Sequence, residues 1–250
     1  MRTVLNLMTD FHDHSRFDAL VETVVADIGE ALSAAIAARG QAVLAVSGGT
    51  TPLAVYRQLS CYPLDWGLVT IVLVDERWVE PGLKGSNESV VRSAMLKNAA
   101  SLARFIGLKT PHGHPKAAED AVNERLQILS RPLDVVVLGM GSDGHTASWF
   151  PHADGLDFAL NENAPMAVAI TAERSQITGP FTERMTLSRA ALKGARLTVM
   201  LLKGQDKRET WVRAVNPGPV EEMPVRALLN DPAIDVIVHW APDDETGAPT

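Results

Sequence analysis

A glycine-rich segment that ends in a histidine is the part of this sequence best suited to chemistry. The apolar run Asp134–Leu138 precedes it and is typical of a strand buried on both faces of a parallel sheet. Gly139, Gly141 and Gly144 then leave the backbone open to a ligand, and His145 follows directly. Open parallel sheets bind their ligands at the carboxyl ends of their strands. Because histidine exchanges protons near neutral pH, we predict that His145 is the catalytic centre.

Two other interpretations of this segment stay open at this point. Residues 139–144 fit the dinucleotide-binding pattern G-x-G-x-x-G, which also requires an acidic residue about 20 positions later, after the next strand. The next apolar run is Met166–Ile170, and the acid that follows it, Glu173, lies too far along. The simpler alternative is a plain turn from the strand into a helix that begins near His145.

A second glycine-rich segment directly follows the apolar run 42–46. It consists of Ser47, Gly48, Gly49 and Thr50. With Pro52 at the expected first helical turn, these residues predict a group of backbone N–H donors at the start of a helix, which suits a phosphate. The segment is also a degenerate nucleophile motif, in which Ser47 would attack and His239 would act as its base. The second glycine and the paired threonines favour the phosphate site.

Charged side chains at three further places could contribute to the same site. Asp75, Glu76 and Arg77 come directly after the apolar run 69–74, where charges are costly unless they are paired or functional. A local ion pair that closes the strand is the simple alternative. Arg184 and Lys207 lie in the C-terminal half and could be solvated surface charges, the usual fate of such residues. Together with the glycine-rich segment, they could instead enclose a dianionic phosphate.

The elements that would position these residues alternate along the chain. Apolar, strand-like runs occur at residues 3–8, 42–46, 69–74, 134–138, 166–170, 197–202 and 234–238. Helical patterns occur at residues 17–36, 52–59, 88–97, 116–129, 187–192, 206–215 and 225–230. Ser15 with Asp18 predicts a capping box at the start of the first helix, and Gly40 predicts its end. Since crossover helices join parallel strands, we predict an α/β fold: a single doubly wound, mostly parallel sheet with helices on both faces, in one domain spanning residues 1–250.

The composition excludes several classes of protein. A net charge of −7 argues against a basic surface for nucleic acid. The single cysteine, Cys61, cannot form an intrachain disulfide, which favours a reducing compartment. No apolar run approaches the ~18 residues of a membrane span, and the N-terminus lacks the pattern of a signal peptide. We therefore predict a cytoplasmic enzyme or small-molecule binder, monomeric or a weak homo-oligomer, that binds neither nucleic acid nor membrane.

Two pairs of histidines have the spacing His-x-His, which could suggest a metal site. They are His12 with His14 and His112 with His114. Both pairs lie in polar segments, so we predict that they are surface residues and that the protein requires no metal.

The motifs together, in this order, resemble the 6-phosphogluconolactonase family, which shares a superfamily with glucosamine-6-phosphate deaminase. They are SGGTTP, DERW, SNESVVRSAML, GMGSDGHTASWFP, ERMTLS and KGQDK, and the resemblance covers roughly residues 40–240. The lactonases have Asp-Glu-Arg at residues 75–77, where the deaminases have tyrosine in place of Arg77. The deaminases also have Asn-Glu-Pro after the histidine loop, which is missing here. Departures from the lactonase pattern are mild: Trp149 replaces leucine, Thr50 replaces serine and His152 replaces glycine.

The resemblance implies hydrolysis of 6-phospho-D-glucono-1,5-lactone to 6-phosphogluconate, the second step of the oxidative pentose phosphate pathway, with no cofactor and no metal. His145 would activate a water molecule, Asp143 would orient His145, and Arg77 would hold the substrate or stabilise charge on the carbonyl oxygen. The remaining predicted residues would bind the substrate and its phosphate. They are Ser47, Gly48, Gly49, Thr50, Asp75, Gly141, Arg184 and Lys207. The alternatives are a sugar-phosphate isomerase or deaminase on the same scaffold and a non-catalytic sugar-phosphate sensor.

Overall fold

The centre of the protein is a parallel sheet of seven strands in a computed structural model that describes residues 11–243. The strands are β1 (Phe11–Asp13), β2 (Ala42–Val46), β3 (Val69–Leu73), β5 (Arg104–Ile106), β6 (Val135–Leu138), β9 (Leu197–Lys203) and β10 (Val236–Ala241). Their order across the sheet is β1-β10-β9-β6-β2-β3-β5, and every neighbouring pair is parallel. All residues of β2 and β6 are buried. Because successive side chains point to opposite faces, both faces of the sheet are covered. This confirms the predicted fold class.

A second, smaller sheet was not predicted. Its three antiparallel strands are β4 (Asp75–Arg77), β7 (Ala167–Thr171) and β8 (Glu183–Leu187), in the order β4-β8-β7. The chain leaves β3 at Val74, whose N–H donates to Val46 and whose carbonyl oxygen accepts from Leu187. Asp75 and Arg77 are thereby turned away from the parallel sheet and onto β8. The run 166–170 was expected in the parallel sheet, and this was wrong. Buried parallel and buried antiparallel strands share the same short apolar pattern, so this pattern does not predict which strand the run pairs with.

Eight helices connect the strands of the described chain. They are α1 (Phe17–Arg39), α2 (Leu53–Leu59), α3 (Asn87–Met95), α4 (Glu119–Leu126), α5 (Leu156–Ala159), α6 (Arg189–Leu192), α7 (Gln205–Val215) and α8 (Arg226–Leu229). The pattern at residues 116–129 begins with a 3-10 turn at Lys116–Ala118, and α6 is shorter than predicted because Leu187 belongs to β8. No helix among residues 11–243 is long and apolar enough to span a membrane. The strand predicted at residues 3–8 lies outside the described residues.

The first helix ends as predicted but begins differently. Gly40 adopts the left-handed conformation, with φ of 72°, and its N–H donates to Ile36. The capping box of Ser15 and Asp18 is wrong, because Arg16 occupies the N-cap position and no side chain there accepts a hydrogen bond. Ser15 lies one residue too early to reach the first free N–H groups. Arg16 instead forms exposed ion pairs with Asp18 and Glu22.

Candidate active site

A cavity of about 440 Å³ lies at the carboxyl ends of β2, β3, β6 and β9. Its lining comes from β9 and the loops after these strands, from β4, β8 and the loop before β8, and from the starts of α3 and α7. The predicted residues that line it are Ser47, Gly48, Gly49, Thr50, Asp75, Arg77, Gly141, His145, Arg184 and Lys207. The remaining predicted residue, Asp143, contacts His145 beside the cavity. The structure therefore brings together side chains that span about 160 positions of the sequence, as expected where parallel strands end at one edge.

The loop that holds His145 is a closed turn, and no helix follows it. The carbonyl oxygen of His145 accepts from Gly141 N at 2.8 Å, and Thr146 Oγ1 donates to the oxygen of Gly139 at 2.9 Å. Ala147 has a φ of 48°, which interrupts any helix. The predicted turn into a helix near His145 is therefore wrong. A Cβ atom at Gly141 would lie 2.1 Å from Nδ1 of His145, so only glycine leaves room for the imidazole.

Asp143 is placed to orient the imidazole of His145. Its Oδ1 lies 2.6 Å from Nδ1 of His145 and also accepts from the backbone N of His145 at 3.1 Å. Burial opposes ionisation of Asp143, but the hydrogen bonds and the charge of His145 outweigh it, so the pKa of Asp143 is lowered. The ring of Phe150 packs on His145 with its centroid at 4.2 Å. The histidine is held from two sides and still lines the cavity.

The charged segment 75–77 is not a local ion pair. Glu76 is fully buried and accepts from the backbone N–H groups of Arg77, Asn87 and Glu88 at 2.7–2.8 Å. Burial raises the pKa of Glu76 to about 7 despite these bonds. Glu76 thereby fixes the start of α3 against β4. Arg77 donates from Nη1 to the oxygen of Gly85 at 2.7 Å, and its Nε has no hydrogen-bond partner among residues 11–243.

Arg184 lines the cavity but is largely engaged by the protein. It is 3% exposed, donates from Nε to Phe181 O at 2.7 Å and from Nη2 to Thr178 O at 3.3 Å. Its guanidinium lies 4.9 Å from the centroid of the Phe150 ring. Desolvation lowers the pKa of Arg184 to about 10, which leaves it charged at neutral pH. Its contribution to a bound anion is therefore mainly a fixed positive charge.

Lys207 and the segment 47–50 approach the cavity from two directions. Lys207 projects from α7, and burial lowers its pKa, against the opposing effects of Asp143 and Asp206. Gly49 has a φ of 90°, a conformation that favours glycine. The backbone oxygen of Ser47 accepts from Tyr56 Oη at 2.9 Å, which anchors the loop to α2. A lysine and a glycine-rich stretch of backbone thus line the same cavity.

Comparisons with known proteins agree on the family. The model of the family described as glucosamine-6-phosphate isomerases/6-phosphogluconolactonase matches residues 15–238. The chain belongs to this family. A protein from Rhizobium meliloti named 6-phosphogluconolactonase is 42% identical over 236 residues, covering 94% of this chain and 100% of its own. A protein of the same name from Pseudomonas aeruginosa is 39% identical and covers 88% of this chain and 89% of its own.

A solved structure extends the likeness to the fold. The crystal structure of a 6-phosphogluconolactonase from Shewanella baltica has a TM-score of 0.88 and 41% identity, covering 93% of this chain and 97% of its own. The likeness therefore includes the strands and loops that form the cavity, and is not confined to one motif.

The arrangement does not favour the serine-hydrolase interpretation. His239 lies on β10, three strand spacings from β2, after which Ser47 comes. Three spacings amount to roughly 14 Å, too far for a proton transfer. His239 is fully buried, and its Nδ1 lies 3.1 Å from Nε2 of His14. His12, His112 and His114 are exposed, as predicted, and His14 is partly exposed. Among residues 11–243 no three side chains of the kinds that bind metals are grouped to hold an ion.

Asn87, Ser148 and Glu76 were not assigned to the site from the sequence. Asn87 lines the cavity and donates to Asp75, and Ser148 Oγ donates to Asp75 Oδ2 at 2.6 Å. Glu76 was considered only as part of an ion pair. The signal for Asn87 and Ser148 was their presence in the motifs SNESVVRSAML and GMGSDGHTASWFP, but a polar residue near a helix start or in a turn is also an ordinary capping residue.

Proposed function

We propose that this protein hydrolyses 6-phospho-D-glucono-1,5-lactone to 6-phospho-D-gluconate. One observation supports it most: a single cavity is lined by His145, which a carboxylate orients, by a glycine-rich backbone loop and by Lys207. The first arrangement suits activation of water, and the second suits a phosphate at the other end of the substrate. The names of the relatives supply the substrate, and the geometry supports the reaction class.

In the proposed mechanism, Nε2 of His145 removes a proton from a water molecule as the water attacks the lactone carbonyl carbon. Asp143 accepts the hydrogen bond from Nδ1 and stabilises the imidazolium that forms. Arg77 is the cation placed to stabilise negative charge on the carbonyl oxygen. When the tetrahedral intermediate collapses, the bond between the carbonyl carbon and the ring oxygen breaks. His145 then returns its proton to that oxygen, and the product is the open-chain acid.

Binding of the phosphate would position the ring without taking part in the bond changes. The N–H groups of residues 48–50 and the ammonium of Lys207 would contact the phosphate, with the buried charge of Arg184 behind them. Binding energy from this remote group holds the carbonyl carbon close to His145. A lactone without the phosphate should therefore lose kcat as well as affinity.

The test is a coupled assay with freshly generated lactone, corrected for spontaneous hydrolysis. The unsubstituted protein should accelerate hydrolysis, and His145→Ala should lower kcat by on the order of 10²–10⁴ with little effect on KM. Exposed His114 offers a matched control, because His114→Ala should leave both constants unchanged. Near-normal turnover by a folded His145→Ala protein would remove His145 from the mechanism. Labelling of Ser47 by a fluorophosphonate with loss of activity would support a serine hydrolase instead.

A further inference from the structure

Asn87 lies where three parts of the site meet. It is the first residue of α3, is 2% exposed and lines the cavity. Its backbone N–H donates to Glu76, which fixes the start of the helix. Its side-chain Nδ2 donates to both the backbone oxygen and Oδ1 of Asp75, each at 3.0 Å. The backbone hydrogen bond therefore fixes the position of Asn87, and its side-chain amide donates both of these bonds to Asp75.

Asp75 is held in a single orientation by these contacts. Oδ1 accepts from Asn87, Oδ2 accepts from Ser148 Oγ at 2.6 Å, and Arg184 Nη1 lies 3.8 Å from Oδ2. Each carboxylate oxygen can accept two hydrogen bonds, so both retain capacity for a ligand. Asp75 is 5% exposed and lines the cavity. A fixed carboxylate at a cavity wall accepts hydrogen bonds from hydroxyl groups.

The same amide sets the distance between Asp75 and the glycine-rich loop. A Cβ atom at Gly48 would lie 2.0 Å from Oδ1 of Asn87, so the backbone of the loop packs directly against this side chain. Asn87 thus separates the loop proposed to bind phosphate from the carboxylate by one amide group. A substrate that contacts both must have its hydroxyl groups at a matching distance from its phosphate.

We propose that Asn87 is a specificity-determining residue, which holds Asp75 so that its carboxylate accepts hydrogen bonds from ring hydroxyl groups of a phosphorylated lactone. The inference rests on the proposed function and adds that the site recognises the ring hydroxyl groups of the substrate. A site built to bond a hydroxyl discriminates against the analogue that lacks it, because the buried acceptor is then left unpaired. Without Asn87, Oδ1 of Asp75 loses its donor and only Oδ2 stays bonded, so we expect this discrimination to weaken.

The experiment compares kcat/KM for 6-phosphogluconolactone with kcat/KM for its 2-deoxy and 3-deoxy analogues. The unsubstituted protein should discriminate against at least one analogue. In Asn87→Ala we expect that discrimination ratio to fall by about 10- to 100-fold, the range for one hydrogen bond to a charged group. His145→Ala should slow all substrates equally and leave the ratio unchanged. Asn123→Ala is the matched control: the Asn123 amide likewise donates to two oxygens, here both of the backbone, but it does not line the cavity.

A second variant keeps the proposal testable if Asn87→Ala does not fold. Asn87→Asp has nearly the same shape, but at neutral pH it places a second carboxylate beside Asp75. As the pH falls, the pair takes up a shared proton, which restores a donor to Asp75. The discrimination ratio of Asn87→Asp should therefore rise as the pH falls, whereas the ratio of the unsubstituted protein should not. Protonation of His145 cancels from this ratio because every substrate depends on it.

The outcomes separate this inference from the proposed function. If the unsubstituted protein hydrolyses the lactone but the discrimination ratio changes less than about twofold in both variants, the proposed role of Asn87 is overturned. The proposed function then stands. Equal rates for all three lactones in the unsubstituted protein also overturn the role of Asn87. No enzyme-dependent hydrolysis of any lactone overturns the proposed function and this inference with it.

Discussion

The Nδ1 atom of His145 lies 2.6 Å from Oδ1 of Asp143, a carboxylate whose pKa this contact lowers. An ionised carboxylate only accepts hydrogen bonds, so the proton of the neutral imidazole is on Nδ1 and the lone pair is on Nε2. The tautomer is an inference from the hydrogen-bond network. It places the basic nitrogen of His145 away from Asp143, where a water molecule in the cavity can reach it.

Replacing Asp143 with asparagine should therefore lower activity without removing the histidine. The amide NH₂ can donate to Nδ1, which favours the tautomer with its proton on Nε2 and removes the base. We expect kcat to fall by on the order of 10²–10⁴, with little change in KM or in the unfolding temperature. Steady-state kinetics and thermal unfolding of the same preparation measure both. A folded Asp143→Asn protein with more than about half of the normal kcat would contradict this tautomer argument.

The parts of the fold and site that the sequence predicted correctly are those with local patterns. The spacing of buried residues in α1, the unbroken apolar run of β2 and the glycine that ends α1 are all set by neighbours along the chain. The position of His145 after β6 was predicted because parallel strands place their carboxyl ends at one edge.

The rest depends on contacts without a local signal. Asn87 and Ser148 reach Asp75 across 12 and 73 positions of sequence. Their roles depend on the bend at Val74, which pairs β4 with β8. Neither the spacing of apolar residues nor the strand propensity of the sequence predicts the pairing of these two strands. The turn after His145 was mistaken for a helix start because Gly-His-Thr suits both. Only the bond from Gly141 N to the oxygen of His145 decides between them.

Lys207 and Arg184 should differ in how their loss affects the enzyme. Lys207→Ala should raise KM about tenfold or more with a small change in stability, because its half-buried ammonium faces the proposed phosphate site. Arg184→Ala should raise KM and also lower the unfolding temperature. It leaves the oxygens of Phe181 and Thr178 without their donor, and Asp75 without the nearby charge. Lys193→Ala, at an exposed lysine, is the control for Lys207. Unchanged kinetics in both variants would show that the phosphate site is misassigned.

The protein should not release ammonia from glucosamine 6-phosphate. Deamination requires a base that moves a proton between neighbouring carbons of an open-chain amino sugar, whereas lactone hydrolysis requires only a water molecule and a stabilised oxygen. Arg77 lines the cavity as a cation and should repel the substrate's ammonium group. An ammonia assay and the lactone assay on one preparation provide the comparison, and lactone hydrolysis should be insensitive to chelators. Ammonia release at a comparable rate, or activity lost to a chelator and restored by metal, would contradict the assignment.

The last prediction concerns a buried histidine that does not line the cavity. His239 on β10 is fully buried beside His12, His14 and Asp27, with Nε2 lying 3.9 Å from Oδ2 of Asp27. Desolvation, with smaller effects from His12 and His14, lowers the pKa of His239 to about 4. Desolvation also lowers the pKa of His14. The negative charge of Asp27 opposes the shift of the His14 pKa, but Asp27 is partly exposed, so its effect is screened.

A lowered histidine pKa makes the folded protein less stable in acid. Below about pH 6.5 the unfolded chain binds a proton at residue 239, whereas the folded protein does not bind one there until about pH 4. The free energy of unfolding therefore falls as the pH is lowered across this window. The loss attributable to His239 is about 3.5 kcal/mol at most, from about 1.4 kcal/mol for each unit of pKa.

Urea unfolding at a series of pH values between about 7.5 and 4.5 measures this loss. His239→Gln cannot titrate, so it should lose less stability on acidification than the unsubstituted protein. His114→Gln, at an exposed histidine, should show the pH profile of the unsubstituted protein. Carboxylates elsewhere contribute equally to all three proteins and cancel from the comparison. Parallel pH profiles for His239→Gln and the unsubstituted protein would mean that His239 takes up its proton in the folded state as readily as in the unfolded chain.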